Sequence, residues 1–365
     1  MCQTLPLDET EQFLCSTWQF VVGYLYFPMV KKITVGVIGA GYWGPNLVRN
    51  FLLVDDCSVK HVCDLDMEKL RKLERLYPHI NFTTRASDIF SDKEVDAVAI
   101  ATPVATHFGL AKKALENGKH VFVEKPITKT SGEAKELIAL AKKKRRILHV
   151  DHTFIYYGPV IKIKEIIDSG ALGDLYYFDS QRINLGLIQK DVNVFWDLAA
   201  HDLSILQYIY KFKADTVSAS ATRHAGKNKE ELAHLSVEYS NGFVAHLHVS
   251  WLSPVKMRQI LIAGSKKMIY FDDIEPSEKI KVYSKNIDFV KKTPEDPANP
   301  VYRSGDVLMP IYDDEEALLK ECAHFVASVR DGKNTITDGT SGLKVVEILE
   351  AADRSVLKRG AKVKI

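Results

Sequence analysis

A glycine-rich segment near the start of the chain restricts its fold more than any other feature. Residues 35–51 are VGVIGAGYWGPNLVRNF, in which an apolar run precedes Gly39, Gly41 and Gly44 and a helical pattern follows them. At this spacing the first glycine permits a tight turn after a strand, the second admits a phosphate close to the backbone, and the third lets the helix pack closely on the sheet. The helix N-terminus then offers amide donors to the phosphate groups. The segment therefore predicts a strand–turn–helix unit that binds a dinucleotide.

The end of the next predicted strand indicates which dinucleotide is bound. Asp64 follows the apolar run 59–63, and it stands about 20 residues beyond the glycines, where such units carry the acid that binds a ribose 2′-hydroxyl. A carboxylate at this position repels a 2′-phosphate, so the sequence favours NAD as the cofactor over NADP. A flavin or another adenine nucleotide is the alternative that the motif leaves open.

Short apolar runs alternate with amphipathic helical patterns from residue 31 to about residue 150. The helical patterns include residues 67–77 and 130–144. Strand and helix in alternation predict a parallel sheet covered on both faces, and right-handed crossovers make it a doubly wound sheet. We therefore expect residues 29–152 to form a Rossmann-type, NAD-binding domain.

The pattern changes after about residue 153. Residues 175–186 and several later segments alternate apolar and polar side chains, and Asn241–Gly242 between two such segments is a strong hairpin signal. Residues 313–330 and 340–358 have the periodicity of helices. We therefore expect an α/β chain whose residues 153–365 form a second, α+β domain with a large, mostly antiparallel open sheet and closing C-terminal helices.

The first 28 residues do not fit either domain. Their apolar stretch begins at residue 13, follows acidic residues, and is interrupted by polar residues, glycine and proline. This composition disfavours both a secretory signal and a membrane span. We expect Met29 to be the working start of the protein and residues 1–28 to be an extension of doubtful role.

Composition excludes several classes of protein. The net charge of +2 is the balance of 49 basic and 47 acidic residues mixed along the chain, so the basic surface of a nucleic-acid binder is missing. The densest basic run, Lys142–Arg146, fits the C-terminal end of a helix, with phosphate contact as the alternative. Five scattered cysteines without a CxxC pair indicate neither a disulfide framework nor a zinc site. We expect a cytoplasmic protein without a nucleic-acid or membrane partner.

Polar side chains follow two further predicted strands. In a doubly wound sheet the ligand lies beyond the carboxyl ends of the strands, and two such ends carry the segments ATPVATH and EKPITKT. A solvent-facing loop lysine is the alternative for the cation of the second segment. The candidate cofactor-binding residues are Gly39, Gly41, Tyr42, Trp43, Gly44, Asp64, Thr102, Pro103, His107, Glu124 and Lys125.

A second group of polar residues lies in the segment FWDLAAHDLSILQYI. Asp197 and His201 are four positions apart, so they share a face if the segment is helical. An imidazole exchanges a proton near neutral pH, and a neighbouring carboxylate sets its tautomer and basicity. The alternative is an ordinary pair on a helix surface. Because no third ligand has matching spacing, we predict no metal site.

These segments resemble the glucose–fructose oxidoreductase, inositol dehydrogenase and rhizopine catabolism (Gfo/Idh/MocA) family. The resemblance lies in residues 35–51, in AIATPVATHFGLAKKALENGKHVFVEKPIT, in WDLAAHDLSIL and in TDGTSGLKVVEILEAADRS. It implies an NAD(P)-dependent oxidoreductase that acts on a hydroxyl or ketone of a sugar, cyclitol or nucleotide sugar. It also implies that the open sheet makes oligomer contacts, in a homodimer or homotetramer. By the same resemblance Lys125 is the catalytic lysine, and Asp197 and His201 are the family's downstream acid and histidine.

The resemblance and the polar residues of the second domain together suggest a substrate. The candidate substrate-binding residues are Lys125, Tyr157, Arg182, Asn193, Asp197 and His201. Arginine binds phosphate or carboxylate with two parallel hydrogen bonds, which suits a substrate with a negative charge. The segments HTF, RINLG and WDLAAHD resemble those of family members that oxidise or reduce the 3-position of a nucleotide sugar, and this resemblance implies a nucleotide sugar that reacts at C3. In the alternative, Arg182 pairs with an acidic neighbour. The segment NVFW departs from the family's usual lead-in to the Asp/His pair and leaves the pocket shape open.

Three other functions stay open at the level of sequence. One is a dehydrogenase of inositol or of a free sugar. Another is a glycosidase that uses bound NAD for transient oxidation, and the third is a nucleotide-sensing protein without catalysis. The presence of Lys125, Asp197 and His201 argues against the sensor, because a sensor does not need groups for proton transfer.

Overall fold

The apolar runs of the N-terminal half form a parallel sheet, as the sequence predicts. We describe a computed structural model for residues 32–189, 191–225, 229–290 and 299–365; the expected extension 1–28 and Met29 lie outside the described residues. The strands are β1 (Ile33–Ile38), β2 (Cys57–Cys63), β3 (Asn81–Thr83), β4 (Ala97–Ile100), β5 (His120–Glu124) and β6 (Leu148–Asp151). Their order is β3-β2-β1-β4-β5-β6, and every neighbouring pair is parallel. The order reverses between β1 and β4, which opens a crevice at the carboxyl ends of the strands.

Five helices of the described chain cover this sheet. They are α1 (Gly44–Leu53), α2 (Met67–Leu76), α3 (Ala86–Ser91), α4 (Val104–Glu116) and α5 (Ser131–Lys144). A capping box of Thr130 and Glu133 begins α5, and three lysines of the basic run occupy its last turn. Cations are favourable there because the C-terminal carbonyls of a helix carry partial negative charge. The short edge strand β3 is the one strand of this sheet that the sequence analysis does not predict.

The second half contains a larger sheet. After α6 (Gly158–Asp168) and around α7 (Ala200–Ile209), its strands are β7 (Leu175–Leu185), β8 (Ala214–Thr222), β9 (Leu232–Tyr239), β10 (Val244–Ser250), β11 (Leu252–Gly264), β12 (Met268–Asp272) and β13 (Ile280–Tyr283). A separate ribbon pairs β14 (Asn286–Val290) with β15 (Asn299–Arg303). The chain continues through β16 (Val307–Leu308), α8 (Ala317–Asp331), α9 (Gly339–Leu357) and β17 (Val363–Lys364). The described order is β16-β13-β12-β11-β7-β10-β9-β8-β17.

This second sheet is mostly antiparallel, as predicted. Among its described strands β7 and β10 pair in parallel, and the other neighbours are antiparallel. The turn between β9 and β10 contains Gly242 with a φ of +89°, which the Asn–Gly signal predicts. Along β10, Ala245, Leu247 and Val249 are buried, whereas the intervening His246 is exposed. One face of the sheet therefore belongs to the core.

The C-terminal helices pack on both parts of the molecule. Phe325 of α8 is fully buried and makes edge contacts with Phe51 of α1 and Phe122 of β5, with ring centroids 6.1 and 5.5 Å apart. Helix α9 contacts α5, α7 and β8. The Rossmann-type core therefore includes α8, which lies far beyond residue 152. No helix in the described ranges is long and apolar enough to cross a membrane.

Candidate active site

A cleft of about 1330 Å³ lies at the carboxyl ends of the parallel strands and extends to the second sheet. Most of the sequence-predicted site residues line it, although they come from distant parts of the chain. The predicted residues in its wall are Gly39, Gly41, Tyr42, Trp43, Asp64, Thr102, Pro103, His107, Glu124, Lys125, Tyr157, Asp197 and His201. Gly44, Arg182 and Asn193 do not line the cleft.

The three glycines have three different steric environments. Gly39 has a φ of +103°, and a Cβ atom there would lie 2.3 Å from the Ala101 carbonyl oxygen. A Cβ atom on Gly44 would lie 1.9 Å from the Gly39 carbonyl oxygen, whereas one on Gly41 would meet no atom within 4 Å. No side-chain cap occupies the N-terminus of α1 in the described chain. The turn thus leaves open space and helix amides on the cleft side, which fits a pyrophosphate.

Asp64 is fixed at the end of β2 by two backbone donors. Its Oδ2 accepts a hydrogen bond from the Ala40 amide at 2.6 Å, and its Oδ1 accepts one from the Asp66 amide at 2.9 Å. The carboxylate therefore stands beside the glycine turn, where it can accept hydrogen bonds from a ribose diol. Lys69 Nζ lies 3.9 Å from Asp64 Oδ1, and this cation also lines the cleft.

His107 connects two loops at the edge of the cleft. The ring is buried, with Nδ1 2.8 Å from the Pro126 carbonyl oxygen and Nε2 2.8 Å from the Thr102 carbonyl oxygen. Burial lowers the pKa of His107, and a neutral imidazole donates through one nitrogen at a time. The structure therefore gives His107 the task of holding the loops that follow β4 and β5.

Lys125, Asp197 and Trp251 form a connected group. Lys125 Nζ donates to the Asp197 carbonyl oxygen at 2.9 Å and to Asp197 Oδ1 at 3.1 Å. Trp251 Nε1 donates to the other carboxylate oxygen, Oδ2, at 3.2 Å. Asp197 lies in a π-helical turn, Phe195–Ala199, directly before α7, and such turns are frequent at functional sites. The sequence analysis does not single out Trp251.

His201 presents its imidazole to the same cleft. Within the described residues the ring has no hydrogen-bond partner, and it meets Phe154 edge-on with centroids 5.2 Å apart. Burial lowers the pKa of His201 well below its usual value, and the charges of Lys125, Arg182 and Arg258 lower it further. The ring is therefore neutral at neutral pH and can accept a proton.

Two carboxyl groups lie behind Lys125. Glu124 Oε2 accepts a hydrogen bond from the Lys125 amide at 2.9 Å. On the neighbouring strand, Asp151 accepts from Trp43 Nε1 at 2.8 Å and from Thr153 Oγ1 at 2.6 Å. Burial, followed by the charge of Asp151, raises the pKa of Glu124 well above its usual value.

The far end of the cleft carries a second polar group. Arg258 Nη1 lies 3.2 Å from Asp273 Oδ2, and the Asp273 amide donates to the Arg258 carbonyl oxygen at 2.9 Å. Burial, followed by the charge of Asp273, raises the pKa of the Tyr157 phenol. The sequence analysis does not identify Arg258 or Asp273.

The structure places Arg182 and Asn193 outside the wall of the cleft, among partners of their own. Arg182 is buried, donates to Asp202 through Nη2 at 2.7 Å and Nε at 3.1 Å, and stacks on Phe154. Asn193 is also buried, and its Oδ1 accepts from the Trp196 amide at 3.1 Å. Arg182 thus has the acidic neighbour of the alternative reading, and Asn193 caps the helical segment. Neither side chain is available to a substrate in the cleft.

Family models and solved structures identify the chain's relatives. Residues 33–152 match the model of an oxidoreductase family with an NAD-binding Rossmann fold, and residues 160–270 match the C-terminal domain of the same family. The chain belongs to the Gfo/Idh/MocA oxidoreductase family. Its N-terminal domain is therefore an NAD-binding Rossmann domain, as predicted.

Individual Gfo/Idh/MocA relatives extend over most of the chain. An uncharacterized oxidoreductase of Bacillus subtilis, YrbE, is 25% identical over 90% of this chain and 95% of its own length. D-apiose dehydrogenase of Rhizobium rhizogenes is 25% identical over 89% of this chain and 96% of its own length.

Solved structures show the same fold. GenD2 from gentamicin A biosynthesis, in complex with NAD, has a TM-score of 0.78 and 23% identity over 92% of this chain and 97% of that one. Levoglucosan dehydrogenase with NADH and levoglucosan has a TM-score of 0.77 and 20% identity over 92% and 99%. Across the described residues, no group of three or more His, Cys, Asp or Glu side chains could hold a metal ion.

Proposed function

We propose that this protein transfers a hydride between NAD and a secondary hydroxyl, or the corresponding ketone, of a sugar. The observation that carries the proposal is that Lys125, Asp197 and His201 meet in the same cleft as the glycine turn and Asp64. A dinucleotide cradle and a set of proton-transfer groups are what an alcohol oxidation requires in one place.

The three residues have different tasks in this proposal. Bound NAD supplies the hydride acceptor for oxidation of the carbinol carbon. The neutral ring of His201 accepts the proton of the substrate hydroxyl. Lys125 uses two of its hydrogens on Asp197, so the third can donate to the same substrate oxygen. Asp197, itself held by Trp251, keeps the ammonium group in place.

The rest of the sugar would contact Tyr157, Arg258 and Asp273. Asp273 accepts hydrogen bonds and Arg258 retains donors beyond the Nη1 contact, which suits hydroxyl groups remote from the reacting carbon. The finer proposal is that the substrate is a nucleotide sugar that reacts at C3. Arg258 then takes the place of Arg182 as the cation for a phosphate or carboxylate.

Relatives and solved structures support both the finer proposal and its alternative. UDP-N-acetylglucosamine 3-dehydrogenase from Acidithiobacillus ferrooxidans shares the fold with a TM-score of 0.73 and 21% identity, over 89% of this chain and 99% of that one. D-apiose dehydrogenase and levoglucosan dehydrogenase are enzymes named for sugars without a nucleotide. A free sugar or inositol is therefore the second candidate substrate.

A substrate panel followed at the NADH absorbance band tests the proposal. The panel contains UDP-N-acetylglucosamine, its uronate, glucose, apiose and myo-inositol, each with NAD. We expect stoichiometric NADH and an oxidised sugar, with the highest kcat/KM for a nucleotide sugar. A higher kcat/KM for a free sugar or inositol rejects the finer proposal alone. Sugar cleavage without net NADH indicates the glycosidase, and NAD binding without turnover indicates the sensing protein.

We also propose that the chain forms a homodimer or homotetramer through the second sheet. On the outward face of this sheet, Asp179 Oδ1 and His248 Nε2 are buried without a hydrogen-bond partner in the described part of the chain, and buried polar atoms normally have one. Sedimentation velocity should give two or four copies at micromolar concentration. A monomer under these conditions contradicts the proposal.

A further inference from the structure

Three carboxyl groups lie together at the carboxyl ends of β5 and β6. Glu124 and Asp151 are directly opposed in the register of these parallel strands, so their side chains leave the same face of the sheet. Glu321 of α8 is fully buried, and Asp151 is 2% exposed. Glu321 Oε1 lies 3.0 Å from His149 Nε2. We call Glu124, Asp151 and Glu321 the carboxyl cluster.

Hydrogen-bond donors are unequally distributed in the carboxyl cluster. Both oxygens of Asp151 accept hydrogen bonds, from Trp43 and Thr153, whereas Glu124 accepts one, from the Lys125 amide. A second ionised carboxylate beside Asp151 would face a like charge in a region of low dielectric. Burial and the charge of Asp151 accordingly raise the pKa values of Glu124 and Glu321. The two glutamic acids of the cluster therefore keep their protons to a higher pH than free glutamic acids do.

Other titratable groups surround the cluster. Lys125 gives two ammonium hydrogens to Asp197, and its charge and backbone amide lower the pKa of Glu124 against the larger effects of burial and Asp151. Burial lowers the pKa values of His149 and His152, the latter to about 4, so both rings are neutral at pH 7. Tyr156, Cys322 and His324 are further neighbours that are neutral at pH 7.

The position of the cluster connects it to the redox state of the cofactor. This step rests on the proposed function, in which Lys125 and His201 act on the hydroxyl of the carbon that gives up the hydride, so that bound nicotinamide would lie close to them. Glu124 precedes Lys125 directly, and Glu124 and Asp151 line the same cleft. The nicotinamide ring of NAD⁺ carries a positive charge, whereas that of NADH is neutral. A cation close to a protonated carboxyl group favours its ionised form.

We propose that the carboxyl cluster sets the preference between oxidised and reduced cofactor, by releasing a proton from Glu124 to solvent when NAD⁺ binds and retaining it when NADH binds. Linkage then requires that the affinity for NAD⁺ relative to NADH increases with pH. If one proton is coupled, the ratio of the two dissociation constants changes by about tenfold per pH unit. High pH thus favours the complex that oxidises the sugar.

Isothermal titration calorimetry measures this effect without turnover. NAD⁺ and NADH are titrated into the full chain at pH 7, in two buffers of different ionisation enthalpy, so that the protons released per ligand are obtained. Both ligands carry the same phosphates and ribose groups, so the difference between them isolates the nicotinamide charge. We expect up to one additional proton to be released with NAD⁺.

Two variants and one control assign the proton. Glu124→Gln should abolish the difference in proton release between the two ligands, and Glu321→Gln should reduce it if Glu124→Gln fails to fold. Glu136→Gln, which changes an exposed glutamate paired with Lys112, should behave as the wild type. Equal proton release with NAD⁺ and NADH in the wild type overturns the inference. If the substrate panel nevertheless produces NADH, the proposed function stands and only the inference about the carboxyl cluster fails. If NAD⁺ and NADH release different numbers of protons but no substrate is turned over, only the proposed function is contradicted.

Discussion

The imidazole of His201 lies among cations in the wall of the cleft. This environment determines how the rate of the proposed oxidation depends on pH. A general base works in its neutral form, and the pKa of His201 is lowered by burial and by Lys125, Arg182 and Arg258. The neutral form therefore persists to lower pH than for a free histidine, with its ordinary pKa of about 6.5. We expect kcat for sugar oxidation to reach half its plateau below about pH 6.5. A pH profile under saturating NAD measures this.

The opposite direction of the reaction provides the control for this pH dependence. Ketone reduction requires a proton donor, so its rate should increase as the pH falls through the same range. An oxidation profile whose acid limb lies above the ordinary histidine value would show that His201 is not the base, or that its neighbours do not lower its pKa.

Asp64 determines a second property at the scale of single residues, the choice between NAD and NADP. Its carboxylate is oriented by the Ala40 and Asp66 amides, and hydrogen bonds to a charged group contribute about 1.5–3 kcal/mol. Asp64→Ser should therefore raise the KM for NAD about tenfold or more and should increase the relative kcat/KM for NADP. Removal of the carboxylate also takes away one of the two acidic neighbours of Lys69, the other being Asp66, which makes this cation more available to a 2′-phosphate.

Glu74→Ser is the matched control for Asp64→Ser. Glu74 is exposed on α2 and does not line the cleft, so its substitution should not change the cofactor preference. Wild-type protein that already prefers NADP would contradict the role assigned to Asp64.

At the scale of elements, the β1–α1 turn contains two glycines with different roles. Gly44 is required by packing, and we expect Gly41 to contact the cofactor. Gly44→Ala places a Cβ atom 1.9 Å from a backbone oxygen, so it should lower the free energy of unfolding by about 1–3 kcal/mol or more. Gly41→Ala meets no protein atom within 4 Å. It should leave the Tm nearly unchanged but weaken NAD binding by roughly tenfold, or about 1.4 kcal/mol.

Thermal unfolding and NAD titration of the two glycine variants distinguish these effects. If Gly41→Ala bound NAD as tightly as the wild type, the pyrophosphate would not approach the backbone at that glycine. If Gly44→Ala were as stable as the wild type, the close packing of strand and helix would not depend on the missing side chain.

Local signals explain which elements could be predicted from the sequence. The glycine turn and the Asn–Gly hairpin depend on residues within a few positions of one another, so their structure follows from the sequence alone. Arg182 shows the limit of this reasoning. Arg182 on β7 is the register partner of Arg258 on β11. Arg182 nevertheless pairs with Asp202, whereas Arg258 lines the cleft.

Contacts between distant segments could not be predicted. Trp251 reaches Asp197 across 54 positions of the chain, and Arg258 meets Asp273 through the β11–β12 hairpin. Such pairs depend on strand register and on the orientation of a helix over a sheet, and no short motif specifies either. The catalytic candidates could be identified from a family resemblance. The residues that hold them in place could be identified only from the three-dimensional structure.

At the scale of the whole molecule, helix α8 from the C-terminal part of the chain packs on the N-terminal sheet and stabilises it. The helical pattern of the sequence predicts that α8 has an apolar face, but it does not predict which surface that face packs against. In the structure the apolar face of α8 packs on the Rossmann core. Phe325→Ala removes a fully buried ring between Phe51 and Phe122. It should lower the free energy of unfolding by about 3–5 kcal/mol.

Urea unfolding, together with NAD titration, measures the effect of Phe325→Ala. We expect the variant to lose stability and to bind NAD less tightly, because α8 supports β1, α1 and β5. Phe212→Ala, at an exposed phenylalanine, is the control and should change stability by less than about 1 kcal/mol. Unchanged stability of Phe325→Ala would contradict the assignment of α8 to the N-terminal core.

The central claim is that Lys125 and His201 transfer the proton while NAD accepts the hydride. The most direct test measures kcat at the NADH absorbance band, with the best sugar of the panel, for wild type, Lys125→Ala, His201→Ala and the exposed-residue control His79→Ala. Positioned acid–base catalysis contributes about 10²–10⁴-fold. We predict that both active-site variants lose at least that order of kcat while they still bind NAD, and that His79→Ala retains wild-type turnover. Wild-type turnover by Lys125→Ala and His201→Ala would contradict the account.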